Sequence, residues 1–255
     1  MRRPPQVSQD EAENSATGTT DQRLKPAAGV ESIFPGPYLC YHGEPIQDDV
    51  QRAHDFVIQV VREEGPFDGV LGFSQGAALA AAVIAAHAEE NPSEELFKIA
   101  VFIATSMPFD LKGGKIRLTY EGSGSLSAAR VDGAGHVVAN EECDWLNDCR
   151  TASVIREFEG RQPRIRQRQG PQTIDVLLRY HPSTHTQRIQ IPTVHVVGAK
   201  DSYREQGMDL ASLCSARKAQ MVAHQGGHEM PRDAATVARA AEAIYEAVER
   251  MRLEN

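Results

Sequence analysis

The chain has 255 residues, 35 acidic against 27 basic side chains, a formal net charge of −8 and 41% hydrophobic residues. That supports one large domain with an ordinary core, and it excludes a strongly basic nucleic-acid surface as a global property. No run of 18 apolar residues is present to cross a membrane.

Residues 1–29 are rich in Pro, Gln, Ser, Thr and charge. They cannot bury enough surface to offset the entropy of ordering, so a disordered arm is expected there. Arg2 and Arg3 open the chain without an apolar segment behind them, which gives no support to a secretory signal, and Asp10, Glu11 and Glu13 argue against a mitochondrial presequence. Residues 48–64 carry Val50, Phe56, Val57, Val60 and Val61 at helical spacing, and Gly65-Pro66 ends that helix. A short strand is predicted over 67–72 and an Ala-rich helix over 75–90. Residues 98–105 (KIAVFIAT) and 191–197 (IPTVHVV) are continuous apolar runs, as buried parallel strands have, and 219–223 is a weaker one. In the last helix, 233–252, Val237, Ala241, Ile244, Val248 and Met251 keep one apolar face.

Strands alternating with helices imply an α/β fold with a mostly parallel sheet and helices on both faces. Residues 111–190 break the rhythm with a Gly/Ser run (Gly122 to Ser127) and an Arg/Gln-rich stretch (Arg161 to Gln169). They read as an insertion between the strands at 98–105 and 191–197, helical near Asp175 to Arg179, and either a lid or a disordered excursion. The four cysteines, Cys40, Cys143, Cys149 and Cys214, are too few and scattered for a disulfide scaffold and read as reduced thiols of a cytoplasmic protein.

The chemistry sits at three loops that follow predicted strands. Gly72-Phe73-Ser74-Gln75-Gly76 matches G-x-S-x-G, a strand-to-helix turn sharp enough to expose the serine hydroxyl. The glycines let strand and helix pack closely, and the free N–H groups of the helix start face developing negative charge. The first such donor is the backbone N–H of Gln75. A serine hydroxyl needs a base, and the base needs an orienting carboxylate. Asp201, just past the strand at 191–197, and His228, in the Gly226-Gly227-His228 loop past the strand at 219–223, supply them in the chain order Ser, Asp, His. His224 ends its strand, and His195 reads as a satisfied core residue. His181 and His185 lack an H-E-x-x-H context, so no metal is assigned. No cofactor is expected.

These residues, with GPFDGVLGFSQGAALAA (65–81), IPTVHVVGAKDSYREQG (191–207), HQGGHEMPRD (224–233) and FPGPYLCYHGEP (34–45), resemble the fungal serine hydrolase family, a branch of the α/β-hydrolases. The resemblance covers about residues 30–110 and 185–252, within a hydrolase domain at 30–255. It implies Ser74 as nucleophile, Asp201 as carboxylate and His228 as base. It also implies a thioesterase that frees a polyketide acyl chain from the carrier protein of a polyketide synthase, with that acyl carrier domain as partner. A stand-alone carboxylesterase acting on small esters, or a degenerate fold that only binds acyl chains or partners, are the alternatives. The family's opening strand, with a His-Gly motif that helps form the oxyanion hole, meets polar sequence here. Tyr38 to Gly43 (YLCYHG) resembles that motif superficially, but the 28 residues between Gly43 and Gly72 are mostly one helix, so it reads as a later family segment, with the first strand missing and the second oxyanion donor unassigned.

Overall fold

The computed structural model describes residues 40–120, 126–132, 134–138, 149–158 and 172–254. The arm expected at 1–29, residues 122–125 of the Gly/Ser run, Cys143 and the Arg/Gln-rich stretch lie outside these residues.

Helix α1 (Gln47–Glu64) leads into strand β1 (Gly69–Phe73), helix α2 (Gln75–Glu90) and strand β2 (Ile99–Ile103). After residues 104–190 come strand β6 (Thr193–Gly198), helix α4 (Arg204–Ser212), strand β7 (Ala219–His224) and helix α5 (Ala234–Glu254). The four strands form one parallel sheet in the order β1-β2-β6-β7. Both faces are covered, and β2 shows how. Ala100 and Phe102 pack with Ala77, Ala81, Ile84 and Leu210 of α2 and α4. Their neighbours Ile99, Val101 and Ile103 pack with Ala243 and Ala247 of α5. A strand with apolar contacts on both sides has to be apolar at every position, which is why KIAVFIAT reads as an unbroken run. Helix α2 is buried at every residue from Ala77 to Ile84. One flank meets the sheet, and Leu79 and Val83 meet Ala53 of α1, so the helix is apolar all round rather than amphipathic.

Residues 111–190 are not helical near Asp175. Strands β3 (Lys115–Tyr120), β4 (Leu126–Val131) and β5 (Gln172–Leu177) form a second, antiparallel sheet in the order β4-β3-β5, with helix α3 (Cys149–Phe158) between β4 and β5 in the chain. Asp175 lies in β5 opposite Arg117, whose guanidinium grips its carboxylate through two 2.7 Å bonds. The alternation that makes this a strand is short: Ile174 and Val176 pack inward, while Thr173 is exposed and Asp175 part-exposed. In the sequence it merges with the apolar Val176-Leu177-Leu178 run. The second sheet has its own core, in which Ile116, Leu118, Val176 and Leu177 meet Val154 and Phe158 of α3 and Val50 of α1. It joins the parallel sheet where Asp110 N–H donates to Leu178 C=O and Tyr180 N–H donates to Pro108 C=O.

Among the described residues, β1 is an edge strand of the parallel sheet, with Leu71 exposed. The sequence position expected to lack a first strand falls in residues 1–39, outside the described residues, apart from Cys40 to Gly43, which form no strand. No described helix is long and apolar enough to cross a membrane.

Candidate active site

Strand β1 turns into α2 at Ser74, whose φ of 53° and ψ of −120° lie where a residue with a side chain is strained. Neighbours on both sides hold it there. Its N–H donates to Ile103 C=O of β2 at 2.9 Å, and its carbonyl accepts from the N–H groups of Ala77 and Ala78 at 3.1 Å each. Gly72 is required by space, since a Cβ there would stand 2.4 Å from the Ala77 Cα. Gly76 has a different neighbour from the one the motif suggests. A Cβ on it would meet the Tyr41 ring at 3.4 Å, not the strand. The next strand end also bends sharply, with Ala104 at φ 48°, a strain no sequence feature signals.

Asp201 and His228 arrive on two loops that interlock. At the end of β6, Ala199 N–H donates to His224 C=O and Lys200 N–H donates to Gly226 C=O. Gly198 makes this approach feasible, because a Cβ there would lie 2.2 Å from the Gly227 carbonyl oxygen. The Asp201 side chain is 1% exposed. Its Oδ1 accepts the Tyr203 N–H at 2.8 Å, so the carboxylate is oriented before the histidine is considered.

The three predicted residues come together. His228 Nδ1 lies 3.1 Å from both Asp201 carboxylate oxygens, and Nε2 lies 2.8 Å from Ser74 Oγ. A nitrogen facing a carboxylate carries the proton, which leaves Nε2 as the acceptor for the serine O–H. The imidazole contacts two aromatic rings, Phe73 at 5.5 Å and Tyr203 at 5.3 Å between centroids. Gln75 is the first residue of α2, so its backbone N–H has no acceptor within the helix.

The profile of the family described as serine hydrolase (FSH1) matches residues 41–240. The chain belongs to this family. As an FSH1-family serine hydrolase it is a hydrolytic enzyme, built on a mostly parallel sheet with helices on both faces. It is similar to the hydrolase FUB4 of Gibberella moniliformis, 32% identical over 215 residues that cover 84% of this chain and 79% of the relative. It is also similar to the esterase alnB of Emericella nidulans, 27% identical over 248 residues covering 88% and 81% of the two chains. A third relative, the serine hydrolase cnsH of Penicillium expansum, is 26% identical over 222 residues covering 82% and 89%.

The remaining histidines of this FSH1-family hydrolase lie elsewhere. His224 is the last residue of β7, buried, with Nδ1 accepting the Gly226 N–H. His195 is buried in β6. Its Nε2 meets Thr193 Oγ1 at 3.1 Å, but its Nδ1 has no partner, so only half of it is satisfied. Burial lowers its pKa to about 4. His185 Nε2 meets the buried Asp110 carboxylate at 3.0 Å. Among the described residues no group of three or more His, Cys, Asp or Glu is placed to hold a metal. Sequence reasoning missed Phe73 and Tyr203 as neighbours of His228, and missed the Gln75 side chain. Phe73 and Gln75 stand inside the elbow motif, so the motif pointed to the positions without saying what they touch.

Proposed function

We propose that this hydrolase cleaves esters or thioesters through an acyl-enzyme on Ser74. The observation that carries the reading is the continuous line from Asp201 through His228 to Ser74 Oγ. Ser74 Oγ attacks the carbonyl carbon as its proton passes to His228 Nε2. The backbone N–H of Gln75 receives the developing oxyanion. Nε2 then gives the proton to the departing alcohol or thiol, and the acyl group stays on Ser74. Water repeats the sequence: its proton goes to Nε2, it attacks the acyl carbon, and Nε2 returns the proton to Ser74 Oγ. Asp201 holds the Nδ1–H tautomer and stabilises the imidazolium in both halves.

The finer reading is release of a polyketide acyl chain from the carrier protein of a polyketide synthase, and the family resemblance of the elbow and the two loops supports it. Free carboxylic esters are the competing substrate class, supported by relatives named as esterases. A fluorophosphonate probe tests the core. The wild type is expected to label and Ser74→Ala to lose the label, whereas a well-folded wild type that fails to label refutes the nucleophile. Turnover of an acyl-carrier thioester against a matched free ester tests the substrate, and faster cleavage of the free ester rejects the carrier reading.

A further inference from the structure

Gln75 is expected to act through its backbone N–H, yet both the oxygen and the nitrogen of its side-chain amide are also engaged. The amide oxygen accepts the Tyr41 N–H at 2.9 Å, and the amide nitrogen donates to the His42 carbonyl at 2.9 Å. One planar amide thus holds two backbone groups of a segment 33 and 34 residues away in the chain. That segment forms no helix or strand between Cys40 and Ile46. Its far end is tied down separately, where Pro45 C=O accepts the Leu177 N–H of β5, and between the two ties the His42 ring packs edge-on against Phe109. The Gln75 amide anchors it on the elbow side.

The clamp fixes where Tyr41 goes. The ring lies over the first turn of α2, with its Cε2 3.4 Å and its hydroxyl 3.9 Å from where a Gly76 Cβ would be. Tyr41 is 47% exposed, so the ring is only partly covered. Gly76, which it neighbours, is two residues from the nucleophile, at the helix end that presents free N–H groups. Phe73, whose ring contacts His228, and Met230, two residues after His228 in the chain, also stay exposed. Exposed large apolar groups around a polar reacting centre are what an apolar chain attached to a carbonyl would cover.

We propose that the Gln75 side chain is a positioning group that clamps residues 41–42 against the elbow, and that the Tyr41 ring it places there is a wall of the acyl-chain site and sets chain-length preference. The proposal rests on the reading of Ser74 as nucleophile.

The test uses p-nitrophenyl esters from two to ten acyl carbons with wild type, Tyr41→Ala, Gln75→Met and the double variant. Gln75→Met keeps length and the backbone N–H but removes both side-chain bonds. Fluorophosphonate titration of active sites corrects each preparation for its folded fraction. Loss of an apolar wall typically changes discrimination by about 10-fold or more. Both single variants are therefore expected to lower the ratio of kcat/KM for the ten-carbon over the two-carbon ester by about that factor. The loss is expected mainly in KM for the long chain, and the double variant should do no worse than Tyr41→Ala alone, because both changes remove the same wall. If Gln75→Met instead lowers all chain lengths by one factor, the side chain is merely structural or aims the oxyanion donor, and the proposal is overturned. Additive effects of the two single changes overturn it too. If the wild type does not label, the reading of Ser74 falls and takes this proposal with it; labelling with unchanged length ratios rejects this proposal alone.

Discussion

Ser74 holds a backbone conformation that costs on the order of 1–3 kcal/mol, and the contacts that sustain it also aim its hydroxyl at His228. The two glycines of the elbow contribute unequally. An added methyl at Gly72 meets the backbone of Ala77 at 2.4 Å, and a helix backbone cannot yield without displacing the strand. At Gly76 the methyl meets the end of a half-exposed tyrosine ring at 3.4 Å, which can swing, and alanine is the better helix former. Gly72→Ala is therefore expected to destabilise by about 3 kcal/mol or more, in the overpacking range, whereas Gly76→Ala should move the thermal midpoint little. Thermal melts of the two variants check this, and the reverse order would refute the account of the turn. At Asp201 the effect should be chemical rather than structural. Asp201→Asn keeps the shape but no longer demands an N–H on the Nδ1 side, so kcat is expected to fall on the order of 10⁴-fold with the circular dichroism spectrum unchanged. His228→Ala should cost several powers of ten, and near-normal kcat there would show that the base is another residue. Ser74, Asp201 and His228 are legible in the sequence because each follows a strand in a short loop with glycine nearby. The partners of Gln75, 33 and 34 residues away, and the rings flanking His228 are not, because residue type shows what a side chain can do and only the fold shows what it meets.

The elements divide along the same physical line. Strands β2 and β6 are buried on both faces, and burial on both faces writes itself into the sequence as an apolar run. Strands β3, β4 and β5 belong to an antiparallel sheet whose residues alternate between a shared core and partly exposed positions. Segments such as KIRLTY and LSAARV then read as part of an irregular insertion, and Asp175 to Arg179 reads as helical because Val176, Leu177 and Leu178 form one apolar run. Helix α3 was missed for a related reason: its ten residues, CRTASVIREF, carry few apolar positions outside Val154, Ile155 and Phe158. The second sheet keeps a core of its own, so damage to it should stay largely local. Leu118 is fully buried there, and Leu118→Ala is expected to cost about 2–5 kcal/mol. Amide hydrogen exchange should accelerate in β3, β4 and β5 more than in β2 and β6. Equal acceleration in both sheets would show that they open as one unit.

At the scale of the whole molecule, the two cores meet through α1, and two buried histidines make the fold sensitive to acid. His54 lies in α1 and His195 in β6, 5% and 1% exposed, and each has a ring nitrogen without a partner. Burial lowers the pKa of both to about 4; at His54 the nearby Asp55 opposes the shift and His42 adds to it. In the unfolded chain both would titrate near the ordinary histidine value of about 6.5. Above that value both states hold the rings neutral, and stability does not depend on them. Between about 6.5 and 4 the unfolded chain binds protons that the folded protein refuses, so unfolding takes up protons and stability falls as pH falls. Each histidine contributes a slope of at most about 1.4 kcal/mol per pH unit across that window. Most carboxylates protonate below pH 5, so urea midpoints at pH 7 and pH 5 read the histidine range, and His195→Phe identifies the share of His195. The midpoint is expected to drop at pH 5, and His195→Phe should reduce the drop relative to its own value at pH 7. A midpoint that holds or rises between pH 7 and pH 5 would mean that the two rings accept protons in the folded state, and that the strand and helix holding them open enough to admit water.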